Sequence, residues 1–258
     1  MKTALSIAGS DPTGGAGLQA DLKTFAAFGI HGLSAVTALT AQSTHSISTI
    51  HPVPTDFFAD QLETLLSDIK PGALKTGMLH NAGIIDQLIL SIKKHELVNL
   101  VVDPVSVSSS GTELIDNEGF KMLRDRLIPM ARVITPNLME AERLTGLRIS
   151  GESELIDAAK RLKQMGPESV VITGGHWRKS ETVDFFLDGS EYDFFRGEKI
   201  KGEFHGTGCA FSAAITAGLA IGQRLKKAVH DAHLYVLGAI TSAFRPGSGA
   251  SILGSGGF

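Results

Sequence analysis

The chain has 258 residues, 24 basic and 27 acidic side chains, and a formal net charge of −3. That balance excludes a strongly basic nucleic-acid-binding surface, and 43% hydrophobic content excludes a disordered chain. The single cysteine, Cys209, excludes an internal disulfide and fits a reducing cytoplasm.

At roughly 150 residues per domain, this length suits one large α/β domain spanning 1–258. The first apolar run meets Asp11 and Pro12, too early for a signal peptide. The longest small-apolar run, 210–221, is shorter than the roughly 20 residues a membrane span needs, so no membrane partner is expected. Glycine is the outlier, with 29 residues gathered in clusters.

Residues 3–8 read as a strand and 18–28 as a helix closed by Gly29. Strands follow at 33–39 and 47–50. Phe57, Phe58, Leu62, Leu65, Leu66 and Ile69 have helical spacing, entered through Thr55 and Asp56. A strand at 73–76, a helix over 84–92 and an apolar strand at 97–102 come next. Another strand, 132–135, stops at Pro136. A helix over 155–165 precedes a strand at 169–173. Residues 182–187 and 192–195 form a hairpin across Asp188-Gly189-Ser190, a candidate flap beside a nucleotide. Helices starting near Thr207 and Leu225 finish the pattern.

Nearly continuous apolar strands separated by helices predict a mainly parallel sheet covered on both faces. Ligands then sit outside the C-terminal strand ends. Six polar breaks follow predicted strands: Gly9-Ser10-Asp11, Thr40-Ala41-Gln42, Gly77-Met78, Asp103-Pro104, Thr135-Pro136-Asn137 and Gly174-Gly175-His176.

Three patterns are set aside. Gly15-Ala16-Gly17-Leu18-Gln19-Ala20 has dinucleotide spacing, but six residues separate it from the strand and no acid ends the second strand. Residues 9–14 have phosphate-loop spacing, but Gly15 stands where the lysine must be. His230 and His233 are three apart, with no third metal ligand nearby in the sequence.

Three constellations carry chemistry. His205-Gly206-Thr207-Gly208-Cys209 opens directly into a helix of small residues. Free N–H groups and the helix dipole make such a terminus an anion site, and the same field favours a thiolate at Cys209. Asp103 and Glu140 follow two strand ends and could hold Mg²⁺ beside a nucleotide's phosphates. The turn 11–17, with Asp21 and Gln42, allows close contact with a small ring. The Gln42 amide suits the paired ring nitrogen and amino group of a pyrimidine.

Together these segments resemble the hydroxymethylpyrimidine (phosphate) kinase family of the ribokinase-like superfamily. The resemblance rests on 7–24, Thr37-Ala38-Leu39-Thr40-Ala41-Gln42, Gly77-Met78-Leu79, Val102-Asp103-Pro104-Val105, 135–142 and 205–209. It implies a three-layer α/β/α sandwich with a mainly parallel sheet. It implies γ-phosphoryl transfer from ATP to hydroxymethylpyrimidine and to its monophosphate, in thiamine biosynthesis. Gly206, Thr207 and Gly208 would form the anion hole and Cys209 the base. Asp103 and Glu140 would organise Mg²⁺. Asn137, Thr173 and Gly175 would contact the nucleotide. Ala16, Gly17, Asp21, Gln42, Met78 and Val105 would line the pyrimidine pocket. A homodimer is the expected assembly. Pyridoxal or pyridoxine kinases share several of these motifs, and a non-catalytic pyrimidine- or nucleotide-binding relative is the further alternative.

The chain departs from the family pattern at Ser106, where methionine is usual, and at Ser109 and Thr173, where lysine is usual. Lys75 and Lys201 are the candidates to replace that positive charge. The usual ending, rich in His, Gly, Pro and Asn, gives way to the glycine- and serine-rich stretch 247–258.

Overall fold

The computed structural model describes residues 1–108, 111–174 and 181–254. Its first strand, β1 (Thr3–Ser10), shows how the sheet is built. Leu5 and Ile7 join one apolar core while Ala4, from the opposite pleat, joins another. Apolar side chains on both pleats are the mark of a central strand covered on both faces.

The strands β2 (His31–Gln42), β4 (Ala73–Thr76), β5 (Leu100–Val102), β6 (Val133–Ile134) and β7 (Ser169–Thr173) run parallel with β1. Antiparallel edges are added by β3 (Ile47–Pro52) on one side and by β8 (Glu181–Asp188) and β9 (Glu191–Glu198) on the other. The nine-stranded order is β3-β2-β1-β4-β5-β6-β7-β8-β9. The chain leaves β1 for β2 on one side and later continues from β4 on the other. The crevice of an open α/β sheet lies at such a switch point.

One face is covered by α2 (Thr55–Leu66), α3 (Ala82–Lys94), α4 (Asn117–Met122), α5 (Leu138–Thr145) and α6 (Glu152–Gln164). The opposite face holds α1 (Gly17–Ala27), α7 (Thr207–Ala220) and α8 (Leu225–Thr241). The helix α7 is buried at every position from Ala210 to Ala220, and its small side chains let it lie close against the sheet. The result is the expected three-layer sandwich. Among the described residues, no helix is long and apolar enough to cross a membrane.

Several expectations change. The strand expected over 97–102 is only β5, because Asn99 takes a left-handed φ of 57° and turns its amide to the Gly72 carbonyl. The 182–195 hairpin is no flap: β8 and β9 are part of the main sheet, with Phe185, Phe186 and Phe195 in the core. Helical turns over 117–130 and the short α5 had not been expected. Neither had a parallel pair of two-residue strands, β10 (Phe204–His205) and β11 (Ser251–Ile252).

That small sheet explains much of the C-terminal glycine. Residues 244–254 form a strap. The Ser251 N–H donates to the Glu203 carbonyl at 3.0 Å and Gly254 N–H to Ala239 at 3.1 Å. Ala250 N–H reaches the Thr44 carbonyl, and Gly249 N–H the Thr44 hydroxyl, each at 3.1 Å. A Cβ on Gly249 would come 2.1 Å from the Thr44 oxygen, so the backbone needs glycine there. The strap thereby ties the end of α8, the approach to α7 and the β2–β3 tip together.

Candidate active site

Six adjacent parallel strands end along one edge, so the polar breaks of the sequence become neighbours. The first is the loop after β1. Asp11 Oδ1 accepts the Thr13 N–H at 2.9 Å, and its Oδ2 accepts from the Thr13 hydroxyl (2.9 Å), the Ala16 N–H (2.8 Å) and His205 Nε2 (3.0 Å). Burial raises the carboxyl's pKa, but these donors outweigh it and hold the group below its usual range. The loop is thus wound around one buried carboxylate and fastened to β10.

Close packing brings it to α7. Gly206 caps that helix with φ 87°, and a Cβ there would lie 1.8 Å from the Gly15 carbonyl oxygen. The Ala210 N–H bonds back to the Gly206 carbonyl, so the N–H groups of Thr207, Gly208 and Cys209 precede the helical ladder. A Cβ on Gly208 would meet nothing within 4 Å, which marks open space at the helix terminus. The two glycines should therefore respond differently. Gly206→Ala is expected to cost about 1–3 kcal/mol of stability. Gly208→Ala should stay within about 0.5 kcal/mol of the parent yet lower kcat by about tenfold, by crowding that space. Thermal melts beside steady-state rates check both, and equal stability losses would contradict this geometry.

The Cys209 thiol accepts from the Gly17 N–H, which joins the proposed base to the proposed substrate loop. The thiolate expectation is corrected. Burial pushes the thiol up to about 12; Lys75 pulls it down, and the Asp21 and Asp103 charges push it up. Although Cys209 keeps intermediate exposure as a residue, desolvation of its sulfur exceeds the helix field.

Asp21 is also corrected. It does not line a pocket, because it has no exposure. Its Oδ1 takes the Lys75 ammonium at 2.7 Å and its Oδ2 the Ser6 hydroxyl at 2.5 Å. Desolvation keeps the Asp21 carboxyl above its usual range despite both partners. At Lys75 desolvation works against the charge, but Asp21, Cys209 and Asp103 together reverse it and hold the ammonium protonated. At neutral pH the two groups form a buried ion pair. Lys75 is therefore committed to Asp21 rather than free, while Lys201 is exposed ahead of β10. A lone lysine within a wholly buried strand was the signal for this pair.

Met78 and Val105 share a small apolar cluster with Ala38, Leu114, Ile47 and Ile50. Gln42, at the end of β2, touches His205 Nε2 through its amide at 3.1 Å and the Thr40 hydroxyl at 3.2 Å. Ala16 and Gly17 begin α1 beside these groups. The substrate residues expected from the sequence thus meet in one region, apart from Asp21 beneath it.

Further along the edge, Asn137 caps α5 and Glu140 completes a capping box: Asn137 Oδ1 accepts the Glu140 N–H at 3.0 Å and Glu140 Oε2 the Asn137 N–H at 2.9 Å. The N-x-x-E spacing was the legible signal for α5. Thr173 forms a bridge beside Asn137, and its N–H donates to the Pro136 carbonyl at 2.9 Å. Gly175 and Ser109 lie outside the described residues. Asp103 receives the Ser212 hydroxyl at 3.1 Å, a partner that sequence reasoning missed. Burial raises Asp103, which Lys75 and Ser212 only partly offset. Burial, then the Asp103 charge, raises Glu140 against the N–H donors of Asn137 and Ser106.

Two buried acids that repel each other are a fitting place for a cation. The Thr135 hydroxyl, at the next strand end, is buried with no partner among the described residues. No cluster of three or more His, Cys, Asp or Glu exists among the described residues. The protein could supply one or two carboxylates, leaving the remaining positions to phosphate and water, as Mg²⁺ prefers. His233 lies elsewhere, buried against Asp184 at 2.7 Å, while His230 is exposed.

Residues 11–253 match the phosphomethylpyrimidine kinase family. The chain is 44% identical over 246 residues to the thiamine biosynthesis bifunctional protein ThiED of Geobacter sulfurreducens, covering 95% of this chain and 50% of that relative. It is 39% identical to a hydroxymethylpyrimidine/phosphomethylpyrimidine kinase of Staphylococcus aureus, covering 91% of this chain and 86% of the relative. The structure of Bacillus subtilis pyridoxal kinase with ADP superposes with a TM-score of 0.93 at 38% identity, covering 100% of this chain and 98% of that one.

Proposed function

The chain belongs to the phosphomethylpyrimidine kinase family, with a ribokinase-like fold, and we infer from its site what it does. It transfers the γ-phosphoryl group of ATP to the hydroxymethyl group of hydroxymethylpyrimidine and then to the resulting monophosphate, a step of thiamine biosynthesis. The observation that carries this reading is the meeting of the α7 terminus, Cys209 and the Gly17 loop beside two buried acids.

The chemistry follows from placement. Met78 and Val105 support the ring, Gln42 reads its polar edge, and the Ala16-Gly17 backbone closes over it. The ring's hydroxymethyl oxygen attacks the γ-phosphorus as the bond to the β-phosphate oxygen breaks, and Cys209, acting from its minor thiolate form, receives the hydroxyl proton. The N–H groups of Thr207, Gly208 and Cys209 stabilise charge on the transferring group. Asn137 and Thr173, with Gly175, position the other phosphates. Asp103 and Glu140 would hold Mg²⁺, whose chemistry is neutralisation of phosphate charge. Positioning and charge stabilisation supply most of what phosphoryl transfer needs.

Incubation with ATP, Mg²⁺ and hydroxymethylpyrimidine is expected to give the mono- and then the diphosphate. Absence of both products across metal conditions would defeat the reading. A pyridoxal-type ring is the second reading, favoured by the likeness to the Bacillus pyridoxal kinase. A side-by-side panel decides, because roughly tenfold higher efficiency on that ring corresponds to about 1.4 kcal/mol of transition-state preference. Sedimentation tests the proposed homodimer, and cell fractionation the proposed cytoplasmic location.

The raised carboxyls give a further expectation. Mg²⁺ binding must displace their protons, so its affinity should strengthen from pH 6 to pH 8, with proton release. The sign for folding is opposite without the ion: carboxyls raised in the fold favour it at low pH. That contribution fades as pH climbs above about 4, the ordinary carboxylate range. Calorimetry in two buffers of different ionisation heat measures the released protons, and a pH-independent affinity counts against the pair.

A further inference from the structure

Two hydrogen-bond chains meet at the Gln42 amide, and each fixes a direction. Asp11 is an ionised acceptor already holding three donors from its own loop, so His205 Nε2 reaches it only as an N–H. That N–H also faces the Gln42 amide at 3.1 Å, which must then present oxygen there. On the other side the Thr40 hydroxyl has one hydrogen. The Ser10 carbonyl, at 2.9 Å, can only accept, so the hydrogen goes there. The Thr40 oxygen is left as an acceptor, and the amide atom at 3.2 Å must be the NH₂. Both chains place the amide oxygen toward His205 and its nitrogen toward Thr40, the orientation that the hydrogen-bond network, rather than heavy-atom positions alone, decides for an amide.

We propose that His205 is a positioning residue that sets the direction of the Gln42 amide and so selects the substrate ring. The amide's second N–H lies on the Thr40 side and its second lone pair on the His205 side. It therefore reads a ring nitrogen acceptor beside an exocyclic N–H donor, with the donor turned toward His205. A ring with a hydroxyl in place of the amino group can also donate, but its geometry relative to the nitrogen differs. The same His205 N–H fastens the Asp11 loop, so ring recognition and loop closure share one donor. This rests on the kinase reading given above.

His205→Leu removes the donor, and His205→Gln retains an N–H at a similar reach. The Leu variant should raise KM for hydroxymethylpyrimidine about tenfold or more. Its KM for ATP and its kcat should stay within about twofold, and its preference for aminopyrimidine over pyridoxal should shrink. The Gln variant should recover most of the loss. General damage to the neighbouring Gly206 turn would instead move kcat and the ATP constant. An unchanged pyrimidine KM in the Leu variant, or no recovery in the Gln variant, overturns the proposal. Nitrogen-15 correlation spectra of the histidine-labelled parent protein are independent of turnover and of variant folding. They should show His205 with its proton on Nε2, and a proton on Nδ1 alone overturns the assignment. A parent protein that phosphorylates no pyrimidine while showing the Nε2–H form would sink the kinase reading and leave this hydrogen-bond direction standing.

Discussion

Cys209→Ala is expected to lower kcat by about 10²–10⁴-fold while both KM values stay within about threefold. The side chain sits at the α7 terminus, so its removal strips a proton acceptor; the Gly17 N–H loses a partner, but the loop stays tied through the Ala16 N–H and His205 contacts to Asp11. Its pKa shapes a second signature. A thiol pushed up to about 12 by burial is protonated in the free enzyme near neutrality. The kcat/KM of the parent should therefore climb with pH through the assay range, because that ratio reports groups of the free enzyme. At saturating Mg²⁺ the alanine variant should lose this slope. A coupled ADP assay between pH 6.5 and 9 measures both effects. A variant retaining more than half of kcat would remove Cys209 from the reaction.

Lys75→Met should be the most destabilising single change, costing about 3–5 kcal/mol. Asp21 would be left charged or forced to protonate in a place with no solvent, with the Ser6 hydroxyl as its remaining side-chain hydrogen-bond partner among the described residues. Domains of ordinary stability hold about 5–15 kcal/mol, so the loss is about a fifth of the total or more. Changing Asp21→Leu in the same chain should recover much of it, because an apolar pair removes two desolvation costs at once. Urea midpoints for the parent, single and double variants decide the matter. A single variant within about 1 kcal/mol of the parent would show that the pair contributes little. Because the Lys75 charge also acts on Cys209 and Asp103, the double variant should fold better than it turns over.

Much of this site could be read before any coordinates were known, because its parts follow strands. Apolar runs such as 3–8 and 169–173 need only local periodicity, and the parallel order then lines up their ends. What escaped was non-local. In the sequence Asp21 reads as a pocket-lining acid beside the glycine turn, and only the fold sets Lys75, 54 positions later, against it. The two-residue strands β10 and β11 have no period to detect and exist only because distant segments pair. The field at the α7 terminus was legible, but the desolvation that outweighs it at Cys209 depends on everything packed around the sulfur. Glu140 was legible as an acid at a strand end; that it also closes a capping box follows from the α5 start.

The strap of residues 244–254 bears on how the molecule reaches its native state. The hydrogen bonds from Gly249 to Thr44 and from His205 to Asp11 close loops of 205 and 194 positions. The entropy of closing such loops grows only with the logarithm of length, about 0.6 kcal/mol per doubling, so equilibrium stability hardly registers them. Rates do, because contacts so far apart in sequence form late. On a ribosome the strands through β7 can pair while the partners of the Asp11 loop are still unsynthesised. The first loop to emerge then waits for nearly the whole chain before its shape is set.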